Sequence, residues 1–276
     1  MKTLYVSDLD GTFMRSSGEL SSFTVDTINY LVMQGMAFTY ATARSIESAR
    51  AITSGLNLSL PVVTRNGAVL ADNSTGKHIR RSIFGKKEIE LIKDILPEIG
   101  RYGFVSCFEG EKMYRMCLEC SHTTGLEGYI DYYRKDPSLR IVSSVDELFK
   151  GEPGYVTLIG DRDEIETLYD RLKEYDNWES VFSKDTYRDE YWLEICPKNC
   201  TKAKTLLRIK EEYGFDKLIV FGDSVNDKSM FEIADEAYAV SNAIDDLKAM
   251  ATSVIGTNDE DAVARFLTKA SQRGVD

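Results

Sequence analysis

Thr3-Leu4-Tyr5-Val6-Ser7-Asp8-Leu9-Asp10-Gly11-Thr12 is the stretch on which the fold turns. The apolar run reads as a short strand, and it ends on two carboxylates spaced two residues apart. That spacing sends Asp8 and Asp10 off the strand end on the same side. Gly11 then lets the backbone turn sharply. Such a pair suits chemistry on a phosphoryl group held by a divalent metal, one carboxylate attacking and the other carrying a proton. The alternative is a strand that ends in an acidic turn.

Outward from this stretch, strand and helix signals alternate. Ser21-Ser22 offers an N-cap before Phe23, Ile28, Leu31 and Val32 at helical spacing, with Gly35 as the stop. A second strand over 36–40 runs into Ala41-Thr42-Ala43-Arg44, and 45–54 reads as a helix. A third strand over 61–64 ends at Arg65-Asn66-Gly67, and Asp72–Gly76 resembles a hairpin turn. Strands over 104–108, 112–118, 155–159 and 191–195, with helices over 86–96, 125–134 and 164–175, give the middle a different, α+β texture. The first pattern then returns. A helix over 201–213 precedes the unbroken apolar run Leu218-Ile219-Val220-Phe221, as expected of a strand buried on both faces of a parallel sheet.

The fold class is therefore α/β: a doubly wound, mostly parallel sheet built from residues 1–83 and 188–276, interrupted by an inserted α+β domain over 84–187. In such sheets ligands sit at the carboxyl ends of the strands. Asp8, Thr42, Asn66 and Asp223 each fall just after a strand, so they converge on one crevice.

The chain has 276 residues, 43% hydrophobic and 29% charged, with a net charge of -11. That balance suits a soluble globular protein. It argues against nucleic acid or an anionic membrane as a partner, while a bound cation still allows a small phosphate ligand. The N-terminal apolar run is too short for a signal peptide, and no stretch is long enough to span a bilayer. A cytoplasmic enzyme, monomeric or weakly homo-oligomeric, is expected. Five cysteines, an odd number, read as reduced thiols. Cys117, Cys120 and His122 with Cys196 and Cys200 match no common zinc module.

Gly222-Asp223-Ser224-Val225-Asn226-Asp227 places two further carboxylates beyond a buried strand. With Asp8 and Asp10 they would crowd one site and require a hard cation, for which oxygen ligands favour Mg2+ over zinc. Asp223 and Asp227 could instead cap a helix. Lys202 opens a helix whose dipole it opposes, which a bound phosphate would explain; the other reading is a solvated surface lysine. Thr42 could donate to a phosphoryl oxygen or cap the helix that follows.

Asp8-Leu9-Asp10-Gly11-Thr12, Thr42, Lys202 and Gly222–Asp227 resemble, in order, the four motifs of the haloacid dehalogenase-like phosphatases. Asn66-Gly67-Ala68, the inserted middle and Ser241-Asn242-Ala243 are similar to the Cof-type branch. Ala43, Ala203 and Ala262 depart from it, standing where glycine is usual. The resemblance implies Asp8 as the nucleophile that forms an aspartyl-phosphate, and Asp10 as the acid that protonates the leaving oxygen and then activates water. Thr42 and Lys202 would hold the phosphoryl oxygens, with Leu9, Gly11, Ala43, Arg44, Asn66 and Asn226 around the phosphate. Mg2+ would sit on the Asp8 carboxylate, the Asp10 carbonyl and Asp223, with Asp227 supporting the metal or Lys202. The insertion would act as a cap, with Arg115, Tyr187 and Arg188 as candidate substrate contacts. The implied activity is Mg2+-dependent hydrolysis of a small phosphorylated metabolite such as a sugar phosphate. A phosphosugar mutase and a non-catalytic phosphometabolite-binding protein are the alternatives, and a dehalogenase fits the carboxylates less well.

Overall fold

The computed structural model describes residues 1–99, 101–120 and 122–272. The chain forms two compact units, one from Met1–Arg80 with Thr201–Asp276 and one from Arg81–Cys200.

The first unit begins β1 (Thr3–Ser7), α1 (Ser22–Met33), β2 (Ala37–Tyr40), α2 (Ile46–Thr53), β3 (Val62–Thr64), β4 (Val69–Ala71) and β5 (His78–Arg81). All of β1 after Thr3 is buried, as a central strand covered on both faces requires. Ser21 caps α1, its Oγ accepting from the Thr24 amide at 3.0 Å. β3 and β4 are antiparallel and, with β5, form a three-stranded sheet. The Asp72 carboxylate closes the turn before β5, accepting from Ser74 Oγ and from the Thr75 amide, both at 2.7 Å. Those bonds favour the charged form and hold its carboxyl down to about 2.

The second unit holds α3 (Lys86–Ile99), β6 (Phe104–Glu109), β7 (Lys112–Leu118), α4 (Leu126–Tyr133), β8 (Leu139–Val142), α5 (Val145–Leu148), β9 (Glu152–Gly160), α6 (Arg162–Leu172), β10 (Trp178–Lys184) and β11 (Tyr191–Pro197). Six strands form one sheet in the order β10-β11-β9-β6-β7-β8, antiparallel except for β7 and β8. Ile92, Leu96, Val105, Val156, Leu158, Ile165, Leu168 and Leu193 fill its core. Two corrections follow. The expected boundary at 187/188 moves to Cys200, because β11 pairs with β9 and β10 inside this sheet. β8 and β10, absent from the sequence reading, form the two edges, where half-buried side chains blur the alternation that marks a strand. All five cysteines are free thiols, and only Cys120 is exposed.

The first unit resumes with α7 (Lys202–Glu212), β12 (Lys217–Gly222), α8 (Lys228–Ile233), β13 (Glu236–Ala239), α9 (Asp245–Met250), β14 (Ser253–Val254) and α10 (Ala262–Gln272). Its main sheet is parallel throughout, in the order β14-β13-β12-β1-β2. The chain builds outward from β1 to β2 and, after the second unit, from β12 to β14 in the other direction. The order therefore reverses between β1 and β12, and their carboxyl ends flank the crevice where such sheets bind ligands. Ser7 pairs with Phe221, so Asp8 and Gly222 leave the sheet side by side. Among the described residues no helix is long and apolar enough to cross a membrane.

Candidate active site

The loop after β1 turns on Gly11, whose φ is +73°. A left-handed conformation alone favours glycine there. Space demands it too: a Cβ on Gly11 would lie 2.4 Å from Oδ2 of Asp223. The missing side chain lets a carboxylate from the end of β12 enter the loop that carries Asp8. Thr12 then donates from Oγ1 to Asp223 Oδ1 at 2.6 Å, and Asn242 Nδ2 donates to the Gly11 carbonyl at 2.7 Å.

Lys202 begins α7 and is 1% exposed. Its Nζ donates to Asp8 Oδ1 at 2.5 Å and to Asp227 Oδ1 at 2.7 Å. The lysine is thus neither a solvated surface residue nor a defect of the helix: two buried carboxylates hold it. Burial alone would lower its pKa, but Asp227 and Asp8 together outweigh burial and raise it, so the ammonium stays charged. Asp227 also accepts, through Oδ2, from the amides of Asp223 at 2.9 Å and Ser224 at 3.1 Å. It therefore serves both readings made from the sequence, tying down the turn before α8 and holding Lys202.

Asp8, Asp223 and Asp227 are all buried, and each offers a carboxylate oxygen within 4.8 Å of the other two. Burial, the largest effect, raises the Asp8 carboxyl well above the ordinary carboxylate value; Lys202 pulls it back, and Asp227, Asp223 and Asp10 push it up again. The Asp223 carboxyl is pushed up to about 7, chiefly by burial and then by Asp227, against the Thr12 hydrogen bond. Three carboxylates around one ammonium leave a formal charge of -2 when all are ionised. The excess fits a divalent cation, and the all-oxygen donor set fits Mg2+.

Asp10 stands apart from that cluster. Both of its oxygens accept from Arg44, from Nε at 2.7 Å and from Nη2 at 2.6 Å. Arg44 Nη1 also reaches Ser48 Oγ in α2 at 3.0 Å. Thr42 is buried and accepts from the Arg44 amide at 3.1 Å, while Ser45 rather than Thr42 caps α2. Arg65, Asn66 and Gly67 all have positive φ, a strained run next to the site. The Asn66 amide donates to the Thr42 carbonyl at 3.0 Å, and Asn226 Nδ2 donates to Asn66 Oδ1 at 3.3 Å. Leu9 is wholly buried, so only its backbone can serve a ligand, and Ala43 is half-buried beside Thr42.

One residue of the quoted motifs has a packing role that the sequence does not reveal. A Cβ on Gly67 would meet the Thr201 carbonyl oxygen at 2.3 Å, and Thr205 Oγ1 donates to the Gly67 carbonyl at 2.9 Å. Gly67 thus seats the start of α7 and with it Lys202. Gly67 belongs to the Asn66-Gly67-Ala68 motif, but nothing in the sequence pairs it with a helix that starts at residue 202.

In the second unit, Arg115 differs from expectation. It is buried, donates to Ser138 Oγ at 2.7 Å and Asp136 Oδ2 at 3.2 Å, and lies over the Tyr133 ring. These partners make it an internal brace rather than a substrate contact. Arg188 and Tyr187 are exposed on a loop that Asp185 closes through both of their amides, and the Arg188 guanidinium covers the Tyr129 ring.

The family model for haloacid dehalogenase-like hydrolases matches residues 5–267. Two curated relatives from Bacillus subtilis, YwtE and YitU, are each named 5-amino-6-(5-phospho-D-ribitylamino)uracil phosphatase. YwtE is 26% identical over 94% of this chain and 95% of its own. YitU is 25% identical over 96% of each. The solved structure of a haloacid dehalogenase-like hydrolase from B. subtilis, 21% identical, superposes with a TM-score of 0.77 over 97% of this chain and 99% of that one. With acidic groups and one ammonium gathered at the carboxyl ends of β1 and β12, and the family matched along nearly its whole length, the chain belongs to the haloacid dehalogenase-like hydrolases, as a phosphatase of that family.

Proposed function

We propose that this phosphatase is Mg2+-dependent and hydrolyses the phosphate monoester of a small sugar or polyol metabolite through an aspartyl-phosphate on Asp8. The observation that carries the reading is the buried cluster of Asp8, Asp223 and Asp227 around Lys202, with its excess of negative charge. The names of YwtE and YitU, both acting on a phosphorylated ribityl chain, support the substrate class.

Asp8 and Asp223 would hold Mg2+ by carboxylate oxygens together with the Asp10 main-chain carbonyl. Asp227, already committed to Lys202 and two amides, supports them from behind. The cation would supply neutralisation of charge on the phosphoryl oxygens. The protein's own groups do the rest. Lys202, with the cation, favours the ionised form of Asp8 and stabilises the charge that spreads over the equatorial oxygens. Thr42 and the amides following Asp8 orient the phosphoryl group in line with the attacking oxygen. Asp8 forms a bond to phosphorus as the bond to the leaving oxygen breaks, and Asp10 gives that oxygen its proton. A water then attacks the acyl phosphate, its proton passes to Asp10, and inorganic phosphate leaves with Asp8 restored.

Phosphate release from a panel of sugar and polyol phosphates tests this. Turnover with Mg2+, its loss in EDTA and its absence in Asp8→Asn are expected. Normal turnover by Asp8→Asn ends the nucleophile assignment, and an isomerised phosphosugar without free phosphate ends the hydrolase reading.

A further inference from the structure

The Arg44 guanidinium is engaged by a carboxylate and a hydroxyl of this chain. It forms a two-bond fork with the Asp10 carboxylate, and its remaining amino group is pinned to Ser48. Ser48 sits in the first turn of α2, where its own amide is held by the Ser45 cap. A chain of contacts thus runs from a helix end to the carboxylate that stands apart from the acidic cluster. Asp10 and Arg44 side chains are 23% and 26% exposed, so the fork lies at the mouth of the site rather than in its floor. At that exposure an ion pair contributes little to folding. What a planar fork does provide is direction, because two parallel bonds fix both the position and the plane of a carboxylate.

We propose that Arg44, braced by Ser48, is a positioning residue that aims Asp10 for proton transfer to the leaving oxygen. The inference rests on the phosphatase reading above and assigns Arg44 to the leaving-group side of the reaction. A carboxylate that must give up a proton and later accept one from water has to return to one place. The fork supplies that place: one oxygen can leave Arg44 to carry the proton while the other stays bound, and the pair re-forms afterwards. No group is consumed, since the proton lost to the leaving oxygen is regained from the attacking water.

The consequence is a dependence on the leaving group. An alkoxide needs its proton in the transition state, whereas a dinitrophenolate leaves without one. Positioned general acids contribute about 100-fold or more. Arg44→Ala is therefore expected to lower kcat/KM about 100-fold for glycerol phosphate and less than about 5-fold for 2,4-dinitrophenyl phosphate. Inhibition by inorganic phosphate should be unchanged. Arg44→Lys, which keeps the charge but loses the fork, should fall between Arg44→Ala and the wild type, and Ser48→Ala should show a weaker form of the same selectivity. Combined with Asp10→Asn, the Arg44→Ala loss should vanish, because the two act as one unit. Equal losses on both esters, or a tenfold weaker phosphate inhibition, would overturn the proposal and return Arg44 to phosphate binding. A wild type inactive on both esters overturns the phosphatase reading itself, and this inference with it.

Discussion

Lys202 Nζ and Asp8 Oδ1 lie 2.5 Å apart, 194 residues distant in sequence and both buried. The carboxylate expected to attack phosphorus is thus paired with an ammonium that a separate helix delivers, which favours its charged form against the burial that opposes it. Removing the lysine strands three carboxylates in a buried cluster. Breaking a buried pair from one side typically costs about 3–5 kcal/mol. Lys202→Ala should therefore lower the melting temperature sharply in EDTA and regain part of the loss in millimolar Mg2+. A melting curve that matches the wild type in EDTA would show that the ammonium is not what reconciles these carboxylates.

Gly11 carries two constraints that can be separated. Its φ of +73° strains any other residue, and its missing Cβ makes room for Asp223. Gly18, at φ +81° with nothing within 4 Å, has only the first. Gly18→Ala should cost about 1 kcal/mol of stability. Gly11→Ala should cost more and, in addition, weaken the Mg2+ dependence of activity about tenfold or further, because Asp223 must withdraw. Equal effects of the two substitutions on Mg2+ titration would disprove the close approach.

Gly67 permits the same comparison against a backbone neighbour. Its absent Cβ faces the Thr201 carbonyl, which cannot swing aside as a side chain can. Gly35, at φ +94° in open space, is the control for Gly67 at φ +104°. Gly67→Ala should reduce kcat through a displaced Lys202 as well as reduce stability, while Gly35→Ala should touch stability alone. Full kcat in a folded Gly67→Ala would show that the start of α7 tolerates the shift.

How much of this was legible before the structure follows a physical line. Asp8, Thr42 and Asp223 could be found because each interrupts an apolar run at a strand end, where core packing has no use for a polar side chain. The parallel sheet could be read because β1 and β12 are buried on both faces and therefore almost wholly apolar. Relationships between distant segments left no such mark. Nothing in the local sequence says that Arg44 faces Asp10, or that Gly67 abuts Thr201, since each residue is ordinary in its own neighbourhood. Arg115 misled for a similar reason: its partners, Asp136 and Ser138, lie in the segment leading to β8, an edge strand too weakly patterned to be recognised. The end of the inserted unit was misplaced because β11 belongs to its sheet by pairing alone.

The metal-free protein should lose stability as pH rises through the weakly acidic range. Burial, with Asp227 nearby, lifts the Asp223 carboxyl from its ordinary 3.8 to about 7, and Asp8 is shifted in the same direction. Between those values the folded state holds protons that the unfolded state has released. The slope of unfolding free energy with pH follows the protons bound when unfolded minus those bound when folded, and here that difference is negative. The contribution of Asp223 is therefore whole below the ordinary carboxylate value, declines as pH climbs toward about 7 and levels off above. Asp223→Asn removes it, so the stability of the variant relative to wild type should improve steadily over that window in EDTA. Saturating Mg2+ should flatten the wild-type curve, because a bound divalent ion favours the ionised carboxylates. Denaturant titrations of both proteins at a series of pH values, with and without EDTA, measure this directly. Parallel curves for wild type and Asp223→Asn in EDTA would mean that Asp223 ionises at its ordinary value, and that neither burial nor Asp227 opposes its charged form.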